Sequence, residues 1–384
     1  MDFQETQEQT MLRQAIADIA TDFGHEYYAE RGRRGEKVEE LWEALATGGF
    51  IGVNIPEEYG GGGMGIYELS IVCEELAVQG LPLLILIVSP AIAGSIITKF
   101  GTDGQRQEWL PGLASGERRI AFAITEPDAG SNSHRLSTTA TRDGDVYRLN
   151  GQKYYISAVD EADDILVVTK TGIDEKTGKA QLSLFVVDVD TPGLTMQKID
   201  MEMVSPENQY TLFFDNAEVP ADRLVGTEGD GLRQVFEGLN PERITGAAIG
   251  SGLGRYALDK AAAYARERQV WDVPIGSHQG IAHPLAKAKV EVELARLMVY
   301  KAAWQYDNGH DAAEAANMAK YAVGEAAMEA LDMAIQTHGG NGLSSEYGLA
   351  DLWGNVRLLR TAPISREMIL NFVAQHSLGL PKSY

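Results

Sequence analysis

Ala121-Phe-Ala-Ile-Thr-Glu-Pro-Asp-Ala-Gly-Ser-Asn132 decides how this chain reads. It opens with alternating small and larger apolar residues, the pattern of a short strand. It breaks at Glu126-Pro127, because the residue before a proline is pushed out of the helical region. Asp128, Gly130, Ser131 and Asn132 then supply turn geometry and short polar groups. Such a loop can lay several N–H and O–H groups against one flat polar ligand. Further on comes Asn150-Gly-Gln-Lys-Tyr-Tyr-Ile-Ser157. Asn-Gly there predicts a hairpin turn, and the strand after it ends in aromatics and a serine.

On the N-terminal side, residues 1–118 read as helical. Met11, Leu12, Ile16, Ile19 and Ala20 give helical spacing across 5–23. The pattern returns over 38–45 and 66–78, with a glycine-rich loop at 59–65. Gly60, Gly62 and Gly65 match the form G-x-G-x-x-G. A dinucleotide site would need a core strand before that motif and an acidic residue about twenty positions after it. Pro56-Glu57-Glu58 precedes and an apolar Pro-Leu-Leu-Ile-Leu run follows, so a flexible turn is the better reading.

On the C-terminal side, residues 119–228 carry β-branched and aromatic runs at 146–150, 164–170, 180–189, 194–200 and 210–219. Turn residues such as Asp143-Gly144 and Thr191-Pro192-Gly193 separate them, which predicts a small barrel or sandwich. Beyond 229 the helical pattern returns. Asn240-Pro241 reads as a helix start, a capping residue followed by proline at the first helical position, with the helix running to about 270. Three more long helices, around 283–306, 311–338 and 364–376, complete a four-helix bundle. The expected class is α+β with three domains, 1–118, 119–228 and 229–384.

Composition narrows the chemistry. With 33 basic against 55 acidic residues, the net charge of −22 argues against nucleic acid, which needs a basic face. No run reaches the roughly 18 apolar residues of a membrane helix, and the acidic start lacks the apolar segment of a signal peptide. Cys73 is the only cysteine, so no intrachain disulfide forms and a cytoplasmic setting fits. Seven scattered histidines give no zinc spacing, so no metal is expected. Neither a P-loop nor a nucleophile elbow is present.

Four motifs in order, Ile124-Thr-Glu-Pro with Ala129-Gly-Ser131, Asn150-Gly-Gln-Lys153, Arg266-Glu-Arg268 with Gln279, and Gln336-Thr-His-Gly-Gly-Asn-Gly342, resemble the acyl-CoA dehydrogenase family. The resemblance covers essentially the whole chain. It implies an FAD-dependent enzyme with an N-terminal helical domain, a middle β domain and a C-terminal four-helix bundle. It also implies assembly as a homotetramer, a dimer of dimers, that oxidises an acyl-CoA and passes electrons to an electron-transfer flavoprotein. By the same resemblance, Thr125 bonds the flavin pyrimidine edge, Ser157 bonds near N5, and Tyr155 covers the face away from substrate. Gly130 and Ser131 belong to that loop. Arg268, Trp271, Gln336, Gly339 and Gly340 would meet the pyrophosphate and adenosine of a neighbouring subunit's FAD. Arg268 reads alternatively as a solvated helix-end charge. Ser131, Asn240 and Arg243 fall on the substrate side, and Ser131 or Arg243 reads alternatively as a turn former or a surface cation. His338 reads as packing.

The catalytic base departs from the family's commoner form. Most members carry a glutamate near the C-terminus, where this chain has Thr361-Ala-Pro-Ile-Ser365. A minority, resembling isovaleryl-CoA and long-chain dehydrogenases, place it on the long helix, which here gives Glu242. An acidic residue in a helix's first turn is also favoured by the dipole, so base and dipole partner both stand. The Ala362 N–H would still bond the thioester oxygen. Two alternatives accompany the dehydrogenase reading: an FAD- and CoA-binding relative with other chemistry, such as an enoyl-CoA reductase or desulfinase, and a non-catalytic partner subunit.

Overall fold

The computed structural model describes residues 4–382. The chain begins with α1 (Gln7–Arg34), which starts where Thr6 and Gln9 cap each other reciprocally. It runs past the expected end at residue 23 and kinks at Gly24, φ 72°. Next come α2 (Glu39–Thr47) and α3 (Ile66–Val78). The glycine-rich turn before α3 follows a short 3-10 turn rather than a strand, so it has no dinucleotide-site geometry. Residues 81–86 lead into a π-helical segment, Ile87–Gly94, then α4 (Ser95–Phe100) and α5 (Asp103–Ser115).

Eight strands follow: β1 (Ile120–Ala123), β2 (Thr139–Asp143), β3 (Val146–Ser157), β4 (Asp164–Ile173), β5 (Ala180–Asp188), β6 (Leu194–Ile199), β7 (Gln209–Pro220) and β8 (Leu224–Val225). The order is β6-β7-β3-β2-β4-β5-β8, with β1 parallel to β4. Thr139 opposite Lys170 is the single pairing between the β2 and β4 halves. The two leaves share one core, in which Tyr147, Leu149, Leu212 and Phe214 meet Ile165, Val167 and Phe185. Asn150-Gly151 is not a hairpin turn. It lies inside β3 at a register shift, and the turn falls earlier, between Asp143 and Val146. Gly151 has φ 147°, and a Cβ there would lie 2.6 Å from Thr138 Cα. The pair therefore serves a bulge.

The third part is helical: α6 (Gly231–Glu267), a small hairpin of β9 (Gln269–Val270) and β10 (Val273–Pro274), α7 (Gln279–Asp307), α8 (Ala313–His338), α9 (Trp353–Leu358) and α10 (Arg366–Phe372). Asn240-Pro241 is not a helix start, since Pro241 sits inside α6. Proline there leaves the carbonyl of Glu237 without its helical donor. Tyr306 supplies the replacement, its O–H donating to Glu237 O at 3.1 Å, so the helix survives. α6 packs on α7, α8 and α3. Where these helices meet, the buried Glu74 carboxylate of α3 accepts Arg296 Nε at 2.7 Å and Arg13 at 2.9 Å, with Arg255 at 3.4 Å and the Ser251 hydroxyl at 2.8 Å.

Candidate active site

The first two motifs are fastened to each other by a buried ion pair. Lys153 of β3 donates to Glu126 Oε1 at 2.9 Å and to Ile124 O at 3.0 Å. Lys153 is 0% and Glu126 3% exposed. The other carboxylate contacts are the Ser137 N–H and O–H, both at 2.7 Å, and the Thr138 N–H at 3.0 Å. Burial alone would raise the Glu126 pKa, but Lys153 and these donors hold it at about 2. Burial draws Lys153 down to about 8 against the pull of Glu126. The carboxylate's depression dominates, and the pair stays ionised at neutral pH. Sequence reading quoted both residues and gave neither a role. The signal was an acid in the first motif and a base in the second.

This clamp sets the geometry of the flavin candidates. The Tyr154 N–H donates to Thr125 O at 2.9 Å, joining the motifs through their backbones. A second irregularity in β3, between Lys153 and Ile156, puts Tyr155 at φ 57°. That unusual backbone turns the ring outward, half-exposed and tilted 49° against Tyr154 with centroids 4.2 Å apart. Tyr155 is thus an accessible aromatic surface and not strand core. Thr125 and Ser157 are partly buried beside it, while Gly130 and Ser131 lie exposed on the adjoining turn. Ser157 donates its hydroxyl proton to Gln209 Oε1 at 3.0 Å.

A second cluster forms where α6 and α8 end side by side. Tyr264 stacks on the buried His338 with centroids 4.2 Å apart, which fits the packing role expected of His338. Asn341 Nδ2 donates to Tyr264 Oη at 3.1 Å. Arg268, Gln336, Gly339 and Gly340 are exposed around this contact. A Cβ on Gly339 or Gly340 would meet nothing within 4 Å, and Gly339 has φ 60°, ψ −134°, a backbone that suits glycine. Trp271 and Asp272 form the two-residue turn of the β9–β10 hairpin, both with positive φ, and Trp271 is 86% exposed. Among the described residues, no hydrogen bond or ion pair connects this cluster to the Thr125–Ser157 cluster.

Glu242 forms the third group. It lies about three turns into α6, too far from the N-terminus to be a first-turn dipole partner. Burial pushes its carboxyl up to about 7, against the opposing pull of Arg243 and Lys320. Arg243 is buried and donates to Asn240 Oδ1 at 3.1 Å and Leu239 O at 3.2 Å. The substrate-side candidates Asn240 and Arg243 are therefore bonded to one another. Lys320 of α8, which sequence reading passed over, is buried and donates to Ile364 O. Ala362 differs from expectation. Its N–H donates to Leu358 O at 2.9 Å, so the turn after α9 consumes the donor expected for a thioester oxygen.

Along the face of α6 that carries Glu242, residues at i+4, i+7 and i+11 are Gly246, Ile249 and Leu253. They line one side of a small apolar cavity of about 20 Å³, with Pro82, Leu84 and Ile87 opposite and Asn355 as a polar member. A carboxyl group titrating near neutrality thus stands on the same helix face as an apolar slot. That arrangement suits proton abstraction from a substrate whose remainder is hydrocarbon. Among the described residues there is no cluster of three metal-ligating side chains, and no helix is long and apolar enough to cross a membrane.

Comparison with known proteins covers the whole chain. Family models described as the N-terminal, middle and C-terminal domains of acyl-CoA dehydrogenase match residues 6–117, 121–217 and 229–378. The chain is 56% identical over 384 residues to acyl-CoA dehydrogenase FadE12 of Mycobacterium tuberculosis, covering 100% of this chain and 99% of that one. The structure of a glutaryl-CoA dehydrogenase with glutaryl-CoA superposes with a TM-score of 0.94 at 33% identity, covering 100% and 98% of the two chains. A structure of PigA with FAD and proline gives 0.92 at 27% identity, covering 99% and 100%. Three domain models in sequence order and relatives matched from end to end make this chain a member of the acyl-CoA dehydrogenase family, and so an oxidoreductase.

Proposed function

We propose that the protein is an FAD-dependent acyl-CoA dehydrogenase that converts an acyl-CoA thioester to the 2-enoyl-CoA, with Glu242 as the base. The observation that carries this is Glu242 on the α6 face that lines the apolar cavity, with its pKa raised to about 7. The residues present fit FAD: an outward Tyr155 ring, Thr125 and Ser157 at its edge, and open backbone at Gly339 and Gly340. FAD supplies the hydride acceptor when bound. Tyr155 offers a stacking surface, Thr125 and Ser157 offer hydrogen bonds, and Glu242 takes the α-proton. The slot of about 20 Å³ would take only the end of the acyl chain, and its lining carries no charged side chain, which favours an uncharged acyl group. Anaerobic titration with a panel of acyl-CoA thioesters tests the reading, because oxidation of any of them bleaches the flavin. No bleaching by any thioester, together with flavin reoxidation by an enoyl-CoA, would instead identify a reductase. The family's electron-transfer flavoprotein is the proposed acceptor, and a reducing cytoplasm suits the single buried cysteine.

The pH dependence follows from the sign of the shift. A base acts deprotonated, so the rate of flavin reduction should rise with pH through about 7. At one unit below that value about a tenth of the sites are competent. Stopped-flow reduction between pH 5.5 and 9 checks this, and a flat profile contradicts the assignment.

A homotetramer with one FAD per subunit is the proposed assembly. The exposure of Arg268, Gln336, Gly339 and Gly340, which among the described residues make no bond to the Thr125–Ser157 cluster, supports a site completed by a neighbour. Val290, Leu294 and Leu297 make an exposed apolar stripe on α7. Beside it runs a groove of about 600 Å³ that includes Met298, Tyr321 and Leu370, which supports helix-to-helix packing between subunits. Sedimentation should show a tetramer carrying equimolar FAD, and a monomer retaining tight FAD would contradict it. The division into domains 1–118, 119–228 and 229–384 belongs to the same proposal.

A further inference from the structure

Residues 203–209, which lead from the β6–β7 connection into the first residue of β7, form a strap that touches both the flavin candidates and the apolar cavity. Toward the cavity, Val204 O accepts from Asn355 Nδ2 at 2.9 Å. Tyr28 lies 3.2 Å from Ser205 Oγ and donates to Pro82 O, also at 3.2 Å. Glu207 Oε1 accepts the Leu84 N–H at 2.7 Å and the Ile85 N–H at 3.4 Å, and Oε2 accepts the Ser205 hydroxyl at 2.8 Å. Toward the flavin candidates, Asn208 O accepts the Ala158 N–H at 2.9 Å and Gln209 accepts from Ser157.

Glu207 is the unusual member. It is 3% exposed, and among the described residues it forms no ion pair. A buried carboxylate without a cation is costly, and burial pushes its pKa up while Ser205 and the two N–H groups oppose the shift. What the side chain provides is an acceptor oxygen for backbone that lines the cavity, with a short bond from Leu84 and a longer one from Ile85. Pro82 and Leu84 are two of the wall residues opposite α6, and both are held by this network. The backbone at 81–84 precedes the helical turn that opens at Ile85 and belongs to no strand ladder, so the Leu84 N–H has no helical acceptor.

We propose that Glu207 is a positioning residue for acyl selectivity: it fixes the cavity wall at 82–84 and thereby limits the bulk of the acyl group admitted. The inference rests on the reading of this cavity as the acyl subsite. With the carboxylate gone, the Leu84 N–H loses its acceptor, the segment moves away from α6, and bulkier chains gain relative to short ones.

The test uses binding without turnover. Wild-type holoenzyme and the variants Glu207→Ala, Glu207→Asp and Glu207→Gln are titrated with butyl-CoA and octyl-CoA thioethers, which cannot be dehydrogenated as thioesters are. Binding is read from the shift in flavin absorbance. The octyl-to-butyl affinity ratio should rise about tenfold in Glu207→Ala, the discrimination of about one methylene in an apolar pocket. Glu207→Asp, which withdraws the carboxylate by one carbon, should move the ratio the same way by less, and it decides the matter if the alanine variant does not fold. Glu207→Gln keeps an acceptor oxygen for Leu84 and should restore the ratio to within about twofold of wild type. An unchanged ratio in the alanine and aspartate variants overturns the proposal, as does a parallel loss of affinity for both thioethers. If wild type binds the thioethers but oxidises no acyl-CoA, the dehydrogenase reading fails while the ratio still decides the role of Glu207.

Discussion

Glu242→Gln should slow flavin reduction by acyl-CoA by about 10²–10⁴-fold, the usual cost of removing a general base. Glutamine keeps the size of the side chain but cannot accept the α-proton. FAD content and acyl-CoA binding should persist, so single-turnover stopped flow with saturating substrate isolates the chemical step. Stability supplies a second readout with a definite sign. The folded carboxyl has its pKa raised from the ordinary 4.5 to about 7, so between those values the folded state holds more protons than the unfolded chain. Native stability from this group therefore falls as pH rises through that window. Glutamine removes the penalty, and the melting temperature of the variant should gain on wild type from pH 4.5 to 7. Wild-type reduction rates in Glu242→Gln would remove Glu242 from the mechanism and require another group to take the α-proton.

Lys153→Met should destabilise the protein by about 3–5 kcal/mol, because it leaves the Glu126 carboxylate buried and uncompensated. The loss should include FAD, since the same pair joins the Thr125 loop to the Tyr155–Ser157 segment. Chemical denaturation of the apoprotein and flavin release on gel filtration measure the two effects. The double variant Glu126→Gln/Lys153→Met should recover much of the stability, because no buried charge remains. The pH dependence has the opposite sign to that of Glu242. Glu126 is depressed from 4.5 to about 2, so its contribution is complete above 4.5 and is lost as pH falls toward 2. Single-variant stability within about 1 kcal/mol of wild type would show that the pair is not what holds the two motifs together.

Periodicity and motif order made much of this molecule legible. Helix α3 begins and ends where its apolar spacing predicts, and the strand runs between 146 and 219 all have counterparts. The misreadings share a cause: local chemistry was outvoted by a distant partner. Asn150-Gly151 has turn chemistry, yet β7 and Thr138 draw it into a continuous bulged strand. Asn240-Pro241 has the form of a helix start, yet Tyr306, 65 positions further along, replaces the donor that proline lacks. The Ala362 N–H was unassignable from sequence, because whether it points to a ligand or closes onto Leu358 depends on the turn after α9. Lys320 and Glu207 lay hidden because their significance is burial, and a single charged residue in a sequence does not announce that.

The Glu74 carboxylate gathers arginines from α1, α6 and α7 around a residue of α3, and this bears on how the protein can be recombined. The N-terminal and C-terminal parts should therefore not exchange as independent modules, although each is matched by its own family model. A chimera taking residues 1–117 from a relative must bring compatible counterparts of Arg13 and Glu74 to the resident Arg255 and Arg296. Otherwise it strands partly buried guanidinium groups at the seam. Successful grafts should therefore be those in which all four positions travel together, and evolution of either end is constrained to change in concert with the other.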